Sequence, residues 1–239
     1  MAQQTLIADR DKVQLKRTFR KDLKADVALK FFTQKPSVVT VPGRECPYCL
    51  QTQQLMDELA SLSPKLRVET VDFYQESQTA FDHGISRIPA VAISGAGASP
   101  GEFRVRFYGI PMGYELATLV EDIKTISRGV SPLSTASRRK LRQVNQPVHI
   151  QIFVTPADAT CPVPARLAHA MALESPNISA DVVEIQEFPA LAQNYRIRTV
   201  PFTVINEHIR FAGAVTETQL LDKVIQAGVR GESSGRSTG

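Results

Sequence analysis

The sequence predicts an α/β protein made of two tandem units, each a mixed sheet flanked by helices on both faces. Three observations predict it. A Cys-Pro-Tyr-Cys stretch, Cys46 to Cys49, stands directly before a helical pattern over 50–62. Two X-Pro pairs stand before β-rich segments, Ile88-Pro89 before Ala90-Val91 and Val200-Pro201 before Phe202-Thr203, and their prolines are 112 residues apart. Around these landmarks the same order of helical and extended patterns runs twice.

The offset of 112 is an internal repeat. Carried on from Cys46 and Cys49, it lands on Asp158 and Cys161. It also pairs Leu55 with Leu167, Val71 with Val183, Asp72 with Glu184 and Ile85 with Ile197, with no gap from motif to proline. Each half opens on a helix (11–23; 137–144). An apolar strand follows, Val27-Ala28-Leu29-Lys30-Phe31-Phe32 in one half and Val148-His149-Ile150-Gln151-Ile152-Phe153 in the other. Then come the motif with its helix, a strand (66–73; 180–185) and a short helix (76–83; 189–195). The X-Pro strand (90–94; 202–206), its hairpin partner (103–108; 209–212) and a closing helix (114–126; 217–227) complete each unit. This order makes a mixed sheet with helices on both faces. The boundary falls in the Ser/Pro-rich stretch 128–137, where one helix has ended and Ser/Thr caps precede the next. The expected domains are 1–129 with the complete motif and 130–230 with the degenerate one. The Gly/Ser-rich tail 231–239 is expected to be disordered.

The halves differ in length at two places. The first has nine extra residues between its opening strand and the motif, within 35–45. Ser37–Val41 is an alternative for the strand that feeds the motif, and the repeat argues against it. The first half also has eight extra residues near 95–101 (GAGASPG). This run joins two strands and opens no helix, so it reads as a turn and not as a phosphate loop.

Composition excludes several classes. Of 239 residues, 43% are hydrophobic and 22% charged, as in an ordinary globular protein. No apolar run approaches the roughly 20 residues of a membrane span. The N-terminus shows no basic region followed by an apolar stretch, so a cytoplasmic location and no membrane contact are expected. The net charge of +4 comes largely from 10–24 and 138–142, both helical in pattern and without interleaved aromatics. They read as solvated helix faces, with no nucleic-acid partner.

Three cysteines do not make a disulfide scaffold, so the CxxC reads as redox-active or metal-binding. A structural zinc needs four ligands. The remaining cysteine lies 112 residues away, and His83, His149, His169 and His208 show no ligand spacing, so neither metal nor cofactor is expected. The histidines read as surface or packing residues, and Cys161 as a buried thiol. At a helix start, two cysteines two residues apart reach each other. The first points to solvent, where free N–H groups and the positive end of the dipole stabilise a thiolate.

These features resemble the thioredoxin fold: a strand, CPYC at a helix start, and Ile-Pro some forty residues on. Two such units in one chain resemble the tandem protein disulfide oxidoreductases, the glutaredoxin-like family, over nearly the whole chain. Phe107-Tyr108-Gly109-Ile110-Pro111 with Gly113, Phe153-Val154-Thr155-Pro156, and Phe211-Ala212-Gly213-Ala214 before 216–220 are further likenesses. The resemblance implies cis bonds before Pro89 and Pro201 and a loop that faces the dithiol. There the backbone of Ile88 would pair with an extended substrate peptide, with Val200 as its counterpart. It implies a thiol–disulfide oxidoreductase acting on protein disulfides, with a thioredoxin-reductase-type electron donor. Cys46 is the expected attacking thiolate and Cys49 the resolving thiol. Pro47 and Tyr48 set the ring's stiffness and potential, and Pro-Tyr points toward a glutaredoxin-like value. Arg44 would lower the Cys46 pKa and Glu45 would oppose it.

One departure matters most. Asp158-Ala159-Thr160-Cys161 places an aspartate at the nucleophile's position, so the second half cannot run a dithiol cycle alone. Asp158 is expected to cap the helix as an anion in the thiolate's place. The alternative function is an electron carrier for one dedicated client, such as a peroxidase, with the second half a redox-dead peptide-binding platform.

Overall fold

The computed structural model describes residues 5–35 and 45–229. The predicted order of elements holds. The first half contains α1 (Asp9–Asp22), β1 (Val27–Thr33), α2 (Cys49–Ala60), β2 (Leu66–Asp72), α3 (Ser77–Asp82), β3 (Ala90–Gly95), β4 (Val105–Tyr108) and α4 (Tyr114–Arg128). The second contains α5 (Thr135–Leu141), β5 (Val148–Val154), α6 (Pro162–Glu174), β6 (Ile178–Glu184), α7 (Pro189–Tyr195), β7 (Phe202–Ile205), β8 (Ile209–Ala212) and α8 (Glu217–Gly228). Among the described residues no helix is long and apolar enough to cross a membrane.

Alternation along the strands builds two apolar layers. Val27, Leu29 and Phe31 face a core shared with Phe19, Leu55, Leu119, Ala165 and Leu220 from the long helices. Phe32, Ala90 and Ala92 face the other side, with Ala80 of α3 and Leu191 of α7. Successive strand residues point to opposite faces, so a strand apolar throughout is buried on both. The basic stretches lie on α1 and α5. On α1, acids in the first turn and bases in the last complement the helix dipole. Between the halves, Gly129 ends α4 at φ +67°, and the Ser134 hydroxyl accepts from Ser137 N to start α5.

Several element bounds differ from expectation by a few residues. β4 begins at Val105 and not at 103, because Pro100–Glu102 form a 3-10 turn closed by a Ser99–Glu102 capping box. The alternative strand Ser37–Val41, most of the 35–45 insertion, Arg44 and the tail 231–239 lie outside the described residues. β1 occupies in the first half the inner position that β5 occupies in the second, as the repeat requires.

The strands form one eight-stranded sheet in the order β2-β1-β3-β4-β6-β5-β7-β8. Each half contributes the same four-strand order, and β4 joins β6 in parallel with Arg106 opposite Asp181. Buried charges pin this junction. Arg106 Nε donates to Asp181 Oδ1 at 2.6 Å, and its Nη1 reaches the carbonyls of His83 and Gly84 at 3.3 Å. His149 Nε2 lies 2.6 Å from Asp181 Oδ2. Burial alone would raise the Asp181 carboxyl, but Arg106 and His149 outweigh it and hold it below its ordinary range. His169 is fully buried, bonding Asp122 at 2.7 Å and the Arg106 carbonyl at 3.3 Å.

Candidate active site

Cys46, Pro47 and Tyr48 form a turn that delivers Cys49 as the first residue of α2. Cys49 N donates to Cys46 O at 3.3 Å, and Thr52 Oγ1 donates to Tyr48 O at 2.8 Å. The Cys46 and Cys49 sulfurs are joined as a disulfide, with Cα atoms 5.4 Å apart. Cys49 is 3% exposed, Cys46 is half-buried, and Pro47 and Tyr48 are exposed. One sulfur is therefore open to an incoming group and the other sits behind it. The first turn of α2 directs backbone N–H groups at this end, which favours negative charge there.

Ile88-Pro89 and Val200-Pro201 are both cis. Antiparallel pairing sets Phe32 opposite Ala90, so Pro89 lies at the edge of the sheet from which the chain leaves β1 for the motif. Phe153 opposite Phe202 places Pro201 in the same way. Gly109 N donates to Pro89 O at 2.9 Å and Gly213 N to Pro201 O at 2.8 Å. Ile88 and Val200 are partly exposed, and neither backbone bonds another described residue. Such a backbone is suited to strand addition by an extended peptide. Beside Ile88, the Arg87 guanidinium stacks over Tyr108 at 5.2 Å and Phe188 at 5.9 Å, bridging the halves.

The second site keeps the turn and changes the chemistry. Cys161 N donates to Asp158 O at 3.3 Å, as in the first site. Cys161 is fully buried, and burial pushes its thiol up to about 11. Asp158 does not cap the helix, contrary to expectation. Its Oδ1 accepts from Thr160 N at 2.7 Å and Thr160 Oγ1 at 2.6 Å, and these bonds hold its carboxyl below the ordinary range. Two features explain the difference: α6 begins at Pro162 with Cys161 in the capping position, three residues past Asp158, and Pro162 and Pro164 remove two of its first three N–H groups.

Sequence reasoning missed Glu115. It reads as an ordinary first-turn acid of α4, but it is 2% exposed, and among the described residues neither carboxylate oxygen has a partner at hydrogen-bond geometry. It lines a small pocket with Phe107, Gly109 and Glu184, and burial pushes its carboxyl up to about 7. Its charge reaches Cys161. Glu187, which accepts from Ile110 N at 2.7 Å, is likewise pushed up to about 7 by burial. No local pattern marks these acids, because part of what surrounds each comes from the other half. Among the described residues no three His, Cys, Asp or Glu side chains are grouped to hold a metal ion.

A thioredoxin-domain family model matches residues 148–226, the half that lacks the dithiol. The chain superimposes on the N-terminal domain of alkylhydroperoxide reductase AhpF from Enterococcus faecalis with a TM-score of 0.80 and 25% identity. That match covers 91% of this chain and 99% of the other. A protein disulfide oxidoreductase from Aeropyrum pernix K1 gives a TM-score of 0.81 and 29% identity, covering 92% and 93%. Among curated proteins, an NADH dehydrogenase of Bacillus subtilis is 24% identical over 170 residues, and an alkyl hydroperoxide reductase component of Staphylococcus aureus 22% over 174. The chain covers 71% and 73% of itself in those matches but only 30% and 31% of the relatives' lengths. The fold is therefore the thioredoxin fold in tandem, and the Cys46–Cys49 disulfide at a helix start is the feature suited to thiol–disulfide exchange.

Proposed function

We propose that this thiol–disulfide oxidoreductase reduces protein disulfides through Cys46 and Cys49, with the second half serving as a redox-silent peptide platform. The observation that carries the reading is the asymmetry of the pair: Cys46 is half-buried and Cys49 is 3% exposed, at a helix start beside the cis-Pro89 loop. The Cys46 thiolate attacks one sulfur of a client disulfide, and the other client sulfur leaves as a thiolate and takes a proton. The Cys49 thiolate then attacks Cys46 in the mixed disulfide. The client's second sulfur is released, and two electrons have passed to the client. Ile88 presents its backbone to the client chain, and Pro47 and Tyr48 form the exposed rim. A reductase of the thioredoxin-reductase type returns the dithiol, and the cycle runs in the cytoplasm. The halves are read as domains 1–129 and 130–230.

The relatives' names support a narrower client. An alkyl hydroperoxide reductase component and an NADH dehydrogenase suggest a peroxidase as the dedicated client and NADH as the ultimate electron source.

Insulin reduction with dithiothreitol tests the chemistry. Cys46→Ser is expected to abolish the activity and Cys161→Ser to leave most of it. Equal loss in both would overturn the assignment of the silent half. Mixed disulfides trapped with Cys49→Ser then identify clients: one dominant peroxidase supports the carrier, and a broad set supports the general reductase.

A further inference from the structure

The internal junction shows how two of these units meet edge to edge. β4 pairs in parallel with β6, in the register Val105 to Ala180 through Tyr108 to Val183, and Ala180 N donates to Arg104 O at 2.8 Å. The repeat leaves the same two surfaces at the outer edges of the sheet. β8 is the counterpart of β4, and β2 the counterpart of β6. The match extends to side chains. Val105-Arg106-Phe107-Tyr108-Gly109 corresponds to Ile209-Arg210-Phe211-Ala212-Gly213, and Ala180-Asp181-Val182-Val183 to Val68-Glu69-Thr70-Val71. We infer that β8 pairs with β2 of a second copy of this chain, in parallel and with Arg210 opposite Glu69, so that copies add head to tail.

Charge and position support this occupant. Arg210 and Glu69 are both exposed and opposite in sign, where the internal junction has the 2.6 Å pair of Arg106 and Asp181. Lys30 holds Glu69 at 2.7 Å, as His149 holds Asp181 at 2.6 Å, so the carboxylate is already oriented. The Arg210 guanidinium lies over Tyr195 at the end of α7, while that of Arg106 reaches His83 and Gly84 at the end of α3. These are equivalent places in the repeat, so both arginines project on the same face of the sheet. Neither outer strand carries a proline, a common guard of exposed edges.

The helix layer agrees. At the internal junction, Val163, Arg166, Ala170 and Leu173 of α6 form one wall of a cleft of 480 Å³, and Glu121, Asp122 and Thr125 of α4 form another. The offset of 112 carries the α6 wall onto Gln51, Gln54 and Glu58 of α2 and Ser61 just after it. These line a cleft of 650 Å³ whose other described lining, beyond α2, is Thr5 and Lys12. α8 is the counterpart of α4, and a partner's α8 would supply the second wall. The α2 wall is polar where the α6 wall is largely apolar, so this contact is weaker than the internal one and depends on concentration. Because β8 and β2 are different surfaces, two copies joined this way leave one of each open, and the assembly grows.

Sedimentation of the full chain from micromolar to millimolar concentration tests the inference independently of the dithiol chemistry. The weight-average mass is expected to rise above that of one chain as concentration increases. Arg210→Glu alone and Glu69→Arg alone are each expected to lose all mass above one chain, since every junction then sets like charges together. An equimolar mixture of the two variants is expected to regain assembly, because every mixed junction again opposes a carboxylate and a guanidinium. Both positions are exposed and away from Cys46, so insulin reduction reports intact folding. A wild type that stays monomeric, single variants that assemble like wild type, or a mixture that stays monomeric would each overturn the pairing.

Discussion

Cys49 and Cys161 hold one position in two copies of one fold. Each is buried, each donates its amide to the carbonyl three residues back at 3.3 Å, and each half has a cis proline whose carbonyl is bound by a glycine amide. The residue three back is half-buried in both but differs in chemistry: Cys46 in one half, Asp158 in the other. The helix starts differ too. α2 opens on residues that all carry N–H groups, whereas two of the first three residues of α6 are prolines. The second half thus lacks a thiol at this position together with much of the electrostatic setting that would activate one. Backbone bonding and packing maintain the turn, and none of that requires a thiol at 158.

The sharpest way to break this comparison is to restore the missing sulfur. Asp158→Cys is expected to form a second disulfide with Cys161, so oxidised, unfolded protein would titrate no free thiol where wild type titrates one. Two remaining thiols would mean that the silent turn has drifted out of disulfide geometry. The new pair should still reduce insulin poorly, since α6 offers so few N–H groups to a thiolate.

A second test asks whether the halves stand or fall together. Asp181 is 3% exposed and bonds both Arg106 and His149. Asp181→Ala leaves the Arg106 charge buried without its partner, and such losses cost about 3–5 kcal/mol. Urea unfolding should show that loss in a single transition. A loss confined to a separate transition of one half would show that the sheet does not couple them.

The smallest effect concerns Glu115. Its pKa rises from 4.5 to about 7 on folding because it is buried, so the fold prefers the neutral acid. The native state binds the extra proton between those values, and stability falls as pH rises through that window. The loss is at most about 3 kcal/mol and is complete above about pH 7. Glu115→Gln, which keeps the shape without the charge, should melt above wild type at about pH 8 and close to it near pH 4. A difference that does not depend on pH would rule out the carboxyl as its source.

Much of this was legible in the residues. The repeat at 112 and its gaps of nine and eight residues located nearly every element, because period and order are local properties of a chain. Cys46, Cys49 and the prolines at 89 and 201 were found the same way. Asp158 does not cap: a cap is judged from the capping residue, while here the helix starts later, after Cys161, and the prolines at 162 and 164 remove two of its first three donors. Glu115, Glu187 and the His169–Asp122 pair left no trace, since each draws its burial or its partner from distant sequence.

By itself, then, the sequence determined the α/β architecture of each half and the single complete dithiol. Only the tertiary structure decided that the halves merge into one sheet through β4 and β6. It also decided that Arg106 and His149 converge on the buried Asp181 and that the field of Glu115 reaches Cys161. The reason is physical: strand order within a unit follows from short connections and local hydrophobic patterns. Which edge of one unit meets which edge of the next depends on complementarity between surfaces far apart in sequence. In this chain that choice brings a buried guanidinium to a buried carboxylate 75 residues on.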